Sequence, residues 1–389
     1  MELSREEEKA LKGEYGEALA TAYRILVAIG EATGAQRLIK VEWAHISGVN
    51  YNTIGDAGLK FLEDFSKGME GRKVIIKTTI NPMGYDPQKL NNLGQDFTEK
   101  QSKIIEAYER LGIKGPYTCI PYEAFELPKA GTQVSFAESN AAVFVNSMLG
   151  LITNKESSLS ALASAITGKA PDSGLRNTEM RNPKVIVNVR KKLRNELDFA
   201  ILGYFAGKID EPSIGIELNE NMIIDKTHAK ALSASLGLSG SAGLFKIGKF
   251  EKWKEKIEFT EKDAEMIKDE ISNADKGDVI VFGSPQLGLK ELERLVQLMK
   301  MRKFRKRCII FCERGIFNRA KKLGIAEKLE SANAEIYCDS CSCLTPYLSK
   351  ENFDSVITNS VKAAYYLRNW NKLNVSLKSM EEIVEEECE

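Results

Sequence analysis

Histidine is almost missing from this chain: His45 and His228 are the two among 389 residues. That scarcity excludes multi-histidine zinc sites and, unless His45 serves, hydrolysis by a Ser-His or Cys-His pair. No run approaches about 18 uncharged apolar residues, which argues against a membrane-spanning helix. Charge of either sign is not in excess. Lys plus Arg and Asp plus Glu number 55 each, so no global field draws the chain to nucleic acid or an anionic membrane. The basic run KMRKFRKR (300–307) reads as a solvated surface ahead of a strand. Residues 1–34 begin acidic and read as an amphipathic helix rather than an export signal. Ser4 and Glu7 form a capping box there, and Gly34 is the stop. With seven cysteines, an odd number in a long chain, a reducing cytoplasm is expected and disulfides are the weakest account of the thiols.

Helices and strands alternate along what is present. QRLIKVEWAHISGV (36–49) reads as a strand running into a Ser-Gly loop, with a helix around DAGLKFLEDFSKG. RKVIIKTTINPMGYD (72–86) repeats this as a Val/Ile strand and a Thr/Asn/Pro turn, and KQSKIIEAYERLG (100–112) is helical. SFAESNAAVFVNSMLGL (135–151) is a buried helix entered through a polar turn. LGLSGSAGLFKIG (236–248) is a glycine-rich connection that matches neither a Walker loop nor a dinucleotide fingerprint. From about 277 four β-rich runs, DVIVFGSPQ, CIIFCERG, AEIYCDSC and SVITNS, are separated by helices at 289–299 and 325–332. That alternation predicts a parallel sheet covered by helices. A boundary near 275, in SNADKGD, divides the chain into a large α/β region, 1–275, and a smaller doubly wound α/β domain, 276–389. Ligands bind outside the carboxyl ends of such strands. Gly283-Ser284-Pro285, Glu313-Arg314-Gly315, Asp339-Ser340-Cys341 and Thr358-Asn359-Ser360 all fall there.

The stretch AEIYCDSCSCLTPYL (334–348) holds Cys338, Cys341 and Cys343. Cys308 and Cys312 share one strand face but lie about 13 Å apart, so they read as buried filler, as does Cys343. Cys388, in the acidic tail, is expected to be exposed. A structural zinc site would need a second C-x2-C pair. An iron–sulfur cluster with an open iron needs three thiolates drawn from separate segments, and Cys119, in the loop GPYTCIPY, is a candidate.

From about residue 5 to 370 the chain resembles the large subunit of aconitase X proteins, in particular the archaeal phosphomevalonate dehydratase type. The likeness lies in EYGEALATAYRILVAIGE, ISGVNYNTIGDAGLKFLEDF, TTINPMGYD, TCIPY, ESNAAVFVNSMLGLITNKESSLSALASAITGKAP, GSP, DSCSCLTP and TNSVKAAYY, in that order. The resemblance implies an aconitase X-like multidomain α/β fold with parallel β-sheets flanked by helices. It also implies a hydro-lyase that dehydrates (R)-5-phosphomevalonate to trans-anhydromevalonate 5-phosphate in an archaeal-type mevalonate pathway. An iron–sulfur cluster, [4Fe-4S], would act as the Lewis acid, and a separate small subunit would supply the base. By motif, Cys119 and Cys341 match cluster ligands. Gly48, Val49, Asn50, Asn81 and Pro82 match substrate loops, Ser139 and Asn140 an anion-favouring helix start, and Ser360 and Lys362 the last binding loop.

The family's third cluster cysteine stands in Gly-Cys-Pro-His, which here reads Gly283-Ser284-Pro285-Gln286. Ser284 ligates iron less readily, so a labile or absent cluster is expected, with Cys343 or Cys338 as the substitutes at hand. Glu138-Ser139-Asn140, Arg176 and Val361 are further departures; Val361 places a Cβ where the family has glycine. Without the resemblance, His45 reads as a strand-end histidine satisfied by neighbours, Asn81-Pro82 as a turn, and Lys362 as either a surface lysine on the final helix or a phosphate or carboxylate contact. Two other functions compete: dehydration of another hydroxy acid such as cis-3-hydroxy-L-proline, and a catalytically silent paralogue serving in binding or assembly.

Overall fold

The computed structural model describes every residue except 91, 92, 220, 221 and 223. Among the described residues the strands form four sheets. In the first part of the chain, Trp43–Ile46 lies between Lys77–Ile80 and Val134–Phe136 in a parallel three-stranded sheet, while Leu38–Lys40 pairs antiparallel with Lys169–Pro171. A parallel four-stranded sheet follows, ordered Leu244–Ile247, Ser213–Glu217, Val185–Val189, Glu255–Phe259. The last sheet is parallel and five-stranded: Ala334–Cys338, Arg307–Cys312, Val279–Leu287, Ser355–Thr358, Asn374–Leu377. Its earliest strand lies in the middle, and the chain winds outward from it in both directions. The carboxyl end of Val279–Leu287 is therefore a switch point, where loops diverge and leave a crevice.

These strands are apolar on both faces, as a sheet covered on both sides requires. Val279, Ile280, Val281, Phe282, Ile309, Ile310 and Phe311 have no exposed surface, and each such side chain contributes about 1.5–3 kcal/mol by leaving water. The register between Val279–Leu287 and Arg307–Cys312 slips after Phe282. Gly283 to Gln286 bulge out of the ladder there, and Gly283 takes φ 110° with its Cα against the Phe311 backbone. A Cβ at Gly283 would lie 2.4 Å from the Phe311 carbonyl oxygen.

Several local expectations change. The capping box at Ser4 and Glu7 forms, but residues 1–34 make two helices, Arg5–Leu11 and Glu17–Ala32, because Gly13 and Gly16 adopt φ 87° and 100° between them. The strand at 72–86 is Lys77–Ile80, not the Val/Ile run before it, because Lys77 to Ile80 pair with Trp43 to Ile46. The glycine-rich connection is largely the end of the helix Lys226–Ser239 followed by the strand Leu244–Ile247. Helix Arg314–Lys322 and strand Asn374–Leu377 add to the last sheet. Cys388 is buried at 6% exposure, because Phe304 bridges to it.

The first part of the chain is locked to the last sheet by a buried ion triad. Arg314 donates to Asp339 at 2.7 Å and to Asp86 at 2.5 Å, and Asp86 also accepts from the Cys338 backbone N–H at 2.8 Å. Met83 N–H donates to the Asp339 carbonyl at 2.9 Å. Removing the cation strands two buried carboxylates. Arg314→Ala is expected to destabilise the fold by about 3–5 kcal/mol, whereas Arg190→Ala, which breaks an exposed pair with Glu258, should cost less than about 1 kcal/mol. Urea unfolding of the two variants beside wild type checks the contrast.

Candidate active site

A cleft of about 430 Å³ opens where the first sheet's loops meet the loops of the last sheet. Gly48, Val49, Asn50, Asn81, Pro82, Cys119, Ser139, Cys341 and Lys362 all line it, joined by Glu138, Cys343, Leu344, Tyr366 and Trp370.

The loop after Trp43–Ile46 is held from three sides. Tyr108 Oη donates to the Gly48 carbonyl at 3.1 Å, Gln101 Nε2 to the Val49 carbonyl at 2.7 Å, and Ser158 Oγ to the Ser47 carbonyl at 2.6 Å. Gly48 has φ 73°, and a Cβ there would sit 2.3 Å from Ser158 Oγ; only glycine fits. Asn50 caps the next helix through the Asn52 N–H and donates to the Leu344 carbonyl at 3.2 Å. It thereby ties this loop to the one carrying Cys341 and Cys343.

A directional chain of hydrogen bonds crosses the cleft wall. Trp43 Nε1 donates to Thr79 Oγ1 at 2.8 Å, and Thr79 Oγ1 contacts His45 Nδ1 at 2.8 Å. His45 Nε2 contacts Asn81 Oδ1 at 2.9 Å, and Asn81 Nδ2 donates to Glu138 at 2.8 Å. The network assigns His45 as the neutral Nε2–H tautomer, accepting from the Thr79 hydroxyl and donating to Asn81. Burial depresses its pKa from 6.5 to about 4. Lys362 donates to the far oxygen side of Glu138. Burial works against the Lys362 ammonium, but the Glu138 carboxylate outweighs it and holds the lysine charged, with its pKa above the ordinary range. His45 is thus the satisfied strand-end histidine, and Lys362 is a buried ion-pair partner rather than a surface lysine.

The thiols form a row. Cys341 is in hydrogen-bond contact with Cys119 and with Cys343, which together hold it well below the ordinary thiol range, against the effect of burial. Burial, then the Cys341 sulfur, pushes Cys119 and Cys343 up. The Cys341 Sγ also reaches the Gly283 carbonyl at 3.7 Å. Ser284 Oγ stands 3.0 Å from Cys343 Sγ and ends the row. Among the described residues, no three His, Cys, Asp or Glu side chains converge on a point suited to one metal ion.

Buried Gln286 fixes this row. Its Oε1 accepts from Cys119 N–H at 3.2 Å. Its Nε2 donates to the carbonyls of Ser340 at 3.0 Å and of Tyr117 and Cys312 at 3.3 Å each. Its own N–H donates to Cys119 Sγ at 3.2 Å.

Three expected site residues face elsewhere. Asn140 has no exposed surface and donates to the Cys119 carbonyl at 3.0 Å, so it supports the thiol loop. The Asn140 N–H at the helix start is already capped by the Glu138 carboxylate. Ser360 donates to the Ser284 carbonyl and caps the helix Val361–Asn369 through Ala363 N–H at 3.0 Å. Ser284, Ser360 and Val361 border a separate pocket of about 40 Å³, so the Val361 side chain is turned away from the substrate loops. Arg176 is buried beneath Val134–Phe136, bonded to Gln133 at 2.7 Å, the Val134 carbonyl at 2.9 Å and Glu156 at 2.9 Å. Cys338 contacts Cys312 within the sheet and does not line the cleft. Cys343, read as filler, does line it. Glu138 and Gln286 were named only as departures from a pattern. An acidic residue just before a buried helix was the available signal for Glu138.

His45 makes stability pH-dependent. Above its unfolded value of 6.5 the ring is neutral in both states. Between 6.5 and about 4 only the unfolded chain takes the proton. Stability should therefore fall with falling pH across that window, by on the order of 3 kcal/mol from this residue. His45→Gln, which keeps a donor toward Asn81, is expected to flatten that slope in urea unfolding measured at about pH 7 and about pH 4.5.

Comparison with known proteins places this geometry. The models for the aconitase X first, second and third domains match residues 1–179, 183–277 and 277–389 in turn. The phosphomevalonate dehydratase large subunit of Thermococcus kodakarensis is 37% identical, over 99% of this chain and 100% of its own length. That of Methanocaldococcus jannaschii is 36% identical, over 99% of each. The crystal structure of Thermococcus kodakaraensis aconitase X in its holo form superposes with TM-score 0.91 at 35% identity, covering all of both chains. The chain belongs to the aconitase X family.

Proposed function

We propose that this chain is the large subunit of a dehydratase that converts (R)-5-phosphomevalonate to trans-anhydromevalonate 5-phosphate in an archaeal-type mevalonate pathway. It would work with a small subunit and an iron–sulfur centre. The observation that carries the reading is the meeting of Cys119 and Cys341, 222 positions apart in sequence (341 minus 119), at one end of a cleft that also holds the Lys362–Glu138 pair.

The donor set fits such a centre. Soft thiolates suit iron–sulfur clusters, and sulfurs strung in a row rather than converging on one point suit a group with several irons. Cys119 and Cys341 are the ligands we assign, with [4Fe-4S] as the form. Bound there, the centre would supply a Lewis acid for the departing hydroxyl.

The chain's own residues bind and orient. Lys362 offers a desolvated cation to an anionic substrate group. Asn81 is held in one orientation by His45, and the loop Gly48–Asn50 presents a pinned backbone. Neither acid–base candidate in the wall is free to take a substrate proton: both ring nitrogens of His45 are engaged, and Glu138 is paired with Lys362 and Asn81. Among the described residues Lys362 is also the one cation lining the cleft, too little for a substrate bearing both carboxylate and phosphate. Both shortfalls support a base and further positive charge arriving with the small subunit. All seven cysteines are free, in keeping with a reducing cytoplasm. Among the described residues no helix is long and apolar enough to cross a membrane.

The test is a dehydration assay of the chain co-produced anaerobically with its small subunit, offered phosphomevalonate or cis-3-hydroxy-L-proline. Turnover of phosphomevalonate that requires both subunits is expected. Turnover of the hydroxyproline instead, or of neither, contradicts the reading. Lys362→Met should lower kcat/KM by roughly 10²–10³-fold, and Tyr365→Phe, on the exposed side of the same helix, by less than about twofold.

A further inference from the structure

We propose that Cys343, and not Ser284, supplies the third sulfur of the metal centre, so that Cys119, Cys341 and Cys343 form its ligand set. The proposal rests on the functional reading above and adds a ligand that the reading leaves open.

Three observations carry it. First, all three cysteines line the cleft, whereas Ser284 is 1% exposed and borders the small pocket behind it. Second, the Ser284 hydroxyl stands 3.0 Å from Cys343 Sγ, and Cys343 lines the cleft together with Cys119 and Cys341. The hydroxyl thus reaches the cleft only through a thiol that stands in front of it. Third, the loop carrying Cys341 and Cys343 is bracketed by two non-glycine residues in the left-handed region, Asp339 at φ 58° and Leu344 at φ 60°. Such backbone persists only where its surroundings enforce it. Here Arg314 grips Asp339 at 2.7 Å, and Asn50 and Asn52 hold the Leu344 carbonyl at 3.2 and 2.9 Å. The two turns aim both thiols of a Cys-Ser-Cys segment at the same space, while Ser342 between them is fully buried.

The chemistry favours sulfur. On ligation each cysteine releases its thiol proton and binds iron through Sγ. An alcohol gives up its proton far less readily and is the harder donor. Ser284 then keeps its proton and donates a hydrogen bond to the ligated Cys343 sulfur, a contact that tunes the centre without holding it.

The experiment uses the chain co-produced anaerobically with its small subunit and measures iron, acid-labile sulfide and the visible sulfur-to-iron absorbance. Wild type and Ser284→Ala should carry equal iron, with the absorbance bands of Ser284→Ala shifted by loss of the hydrogen bond. Cys343→Ser should lose most of its iron and sulfide. A far-ultraviolet circular dichroism spectrum and urea midpoint of Cys343→Ser that match those of wild type stripped of iron separate lost ligation from lost folding. Iron retained in Cys343→Ser overturns the proposal and leaves the functional reading standing, as does iron lost in Ser284→Ala. A wild-type complex with neither iron nor sulfide overturns both.

Discussion

The Gln286 carboxamide, with no exposed surface, sits where the Tyr117–Cys119 loop, the end of Arg307–Cys312 and the loop after Ala334–Cys338 come together. It accepts from one of these segments and donates to all three. Its backbone N–H bonds the Cys119 sulfur itself. Leaving a buried polar group of such a junction unpaired costs about 1–3 kcal/mol. Cooperative polar networks of this kind specify one arrangement. The thiol row exists because Gln286 bulges from the central strand into that junction, a departure that the register slip after Phe282 makes possible.

The cleft's electrostatics follow from a second buried network. The path from Trp43 to Glu138 runs in one direction, each donor facing one acceptor, and its terminal carboxylate also accepts from the Lys362 ammonium. Because both ends are buried, the pair interacts at a lower effective dielectric than surface ions do. Neutral His45 acts as a spacer that fixes the Asn81 amide, so its role is positional. The Lys362 ammonium also favours ionisation of Cys341, which links the cationic end of the cleft to its thiols.

Much of this was legible from residue types. The central strands of the last sheet, the helix Leu289–Met299 and the position of the loops at one sheet edge followed from apolar runs and periodicity. Arg314–Lys322 escaped because its apolar content is small; it buries little beyond Ile316 and Ala320. Asn374–Leu377 escaped because four residues at a sheet edge leave little pattern. At the site, thiol chemistry singled out Cys119 and the cysteines around Cys341, while Asn81 and Lys362 came from the family resemblance. Direction was not readable: Asn140, Ser360 and Ser284 occupy the expected loops, yet their side chains serve the Cys119 loop, the final binding loop and the back of the thiol row. Only the packing of one loop on another decides whether a residue faces ligand or scaffold. For the same reason Cys343 reads as filler in a string and as a cleft thiol in three dimensions.

Sulfurs that lie 222 positions apart in sequence (341 minus 119) share one cleft, and mild oxidation of the chelator-treated chain followed by peptide mass mapping checks this. A disulfide joining the peptide of Cys119 to the peptide bearing Cys341 and Cys343 is expected. Recovery of Cys119 unpaired, while Cys341 is oxidised with another partner or modified alone, would contradict it.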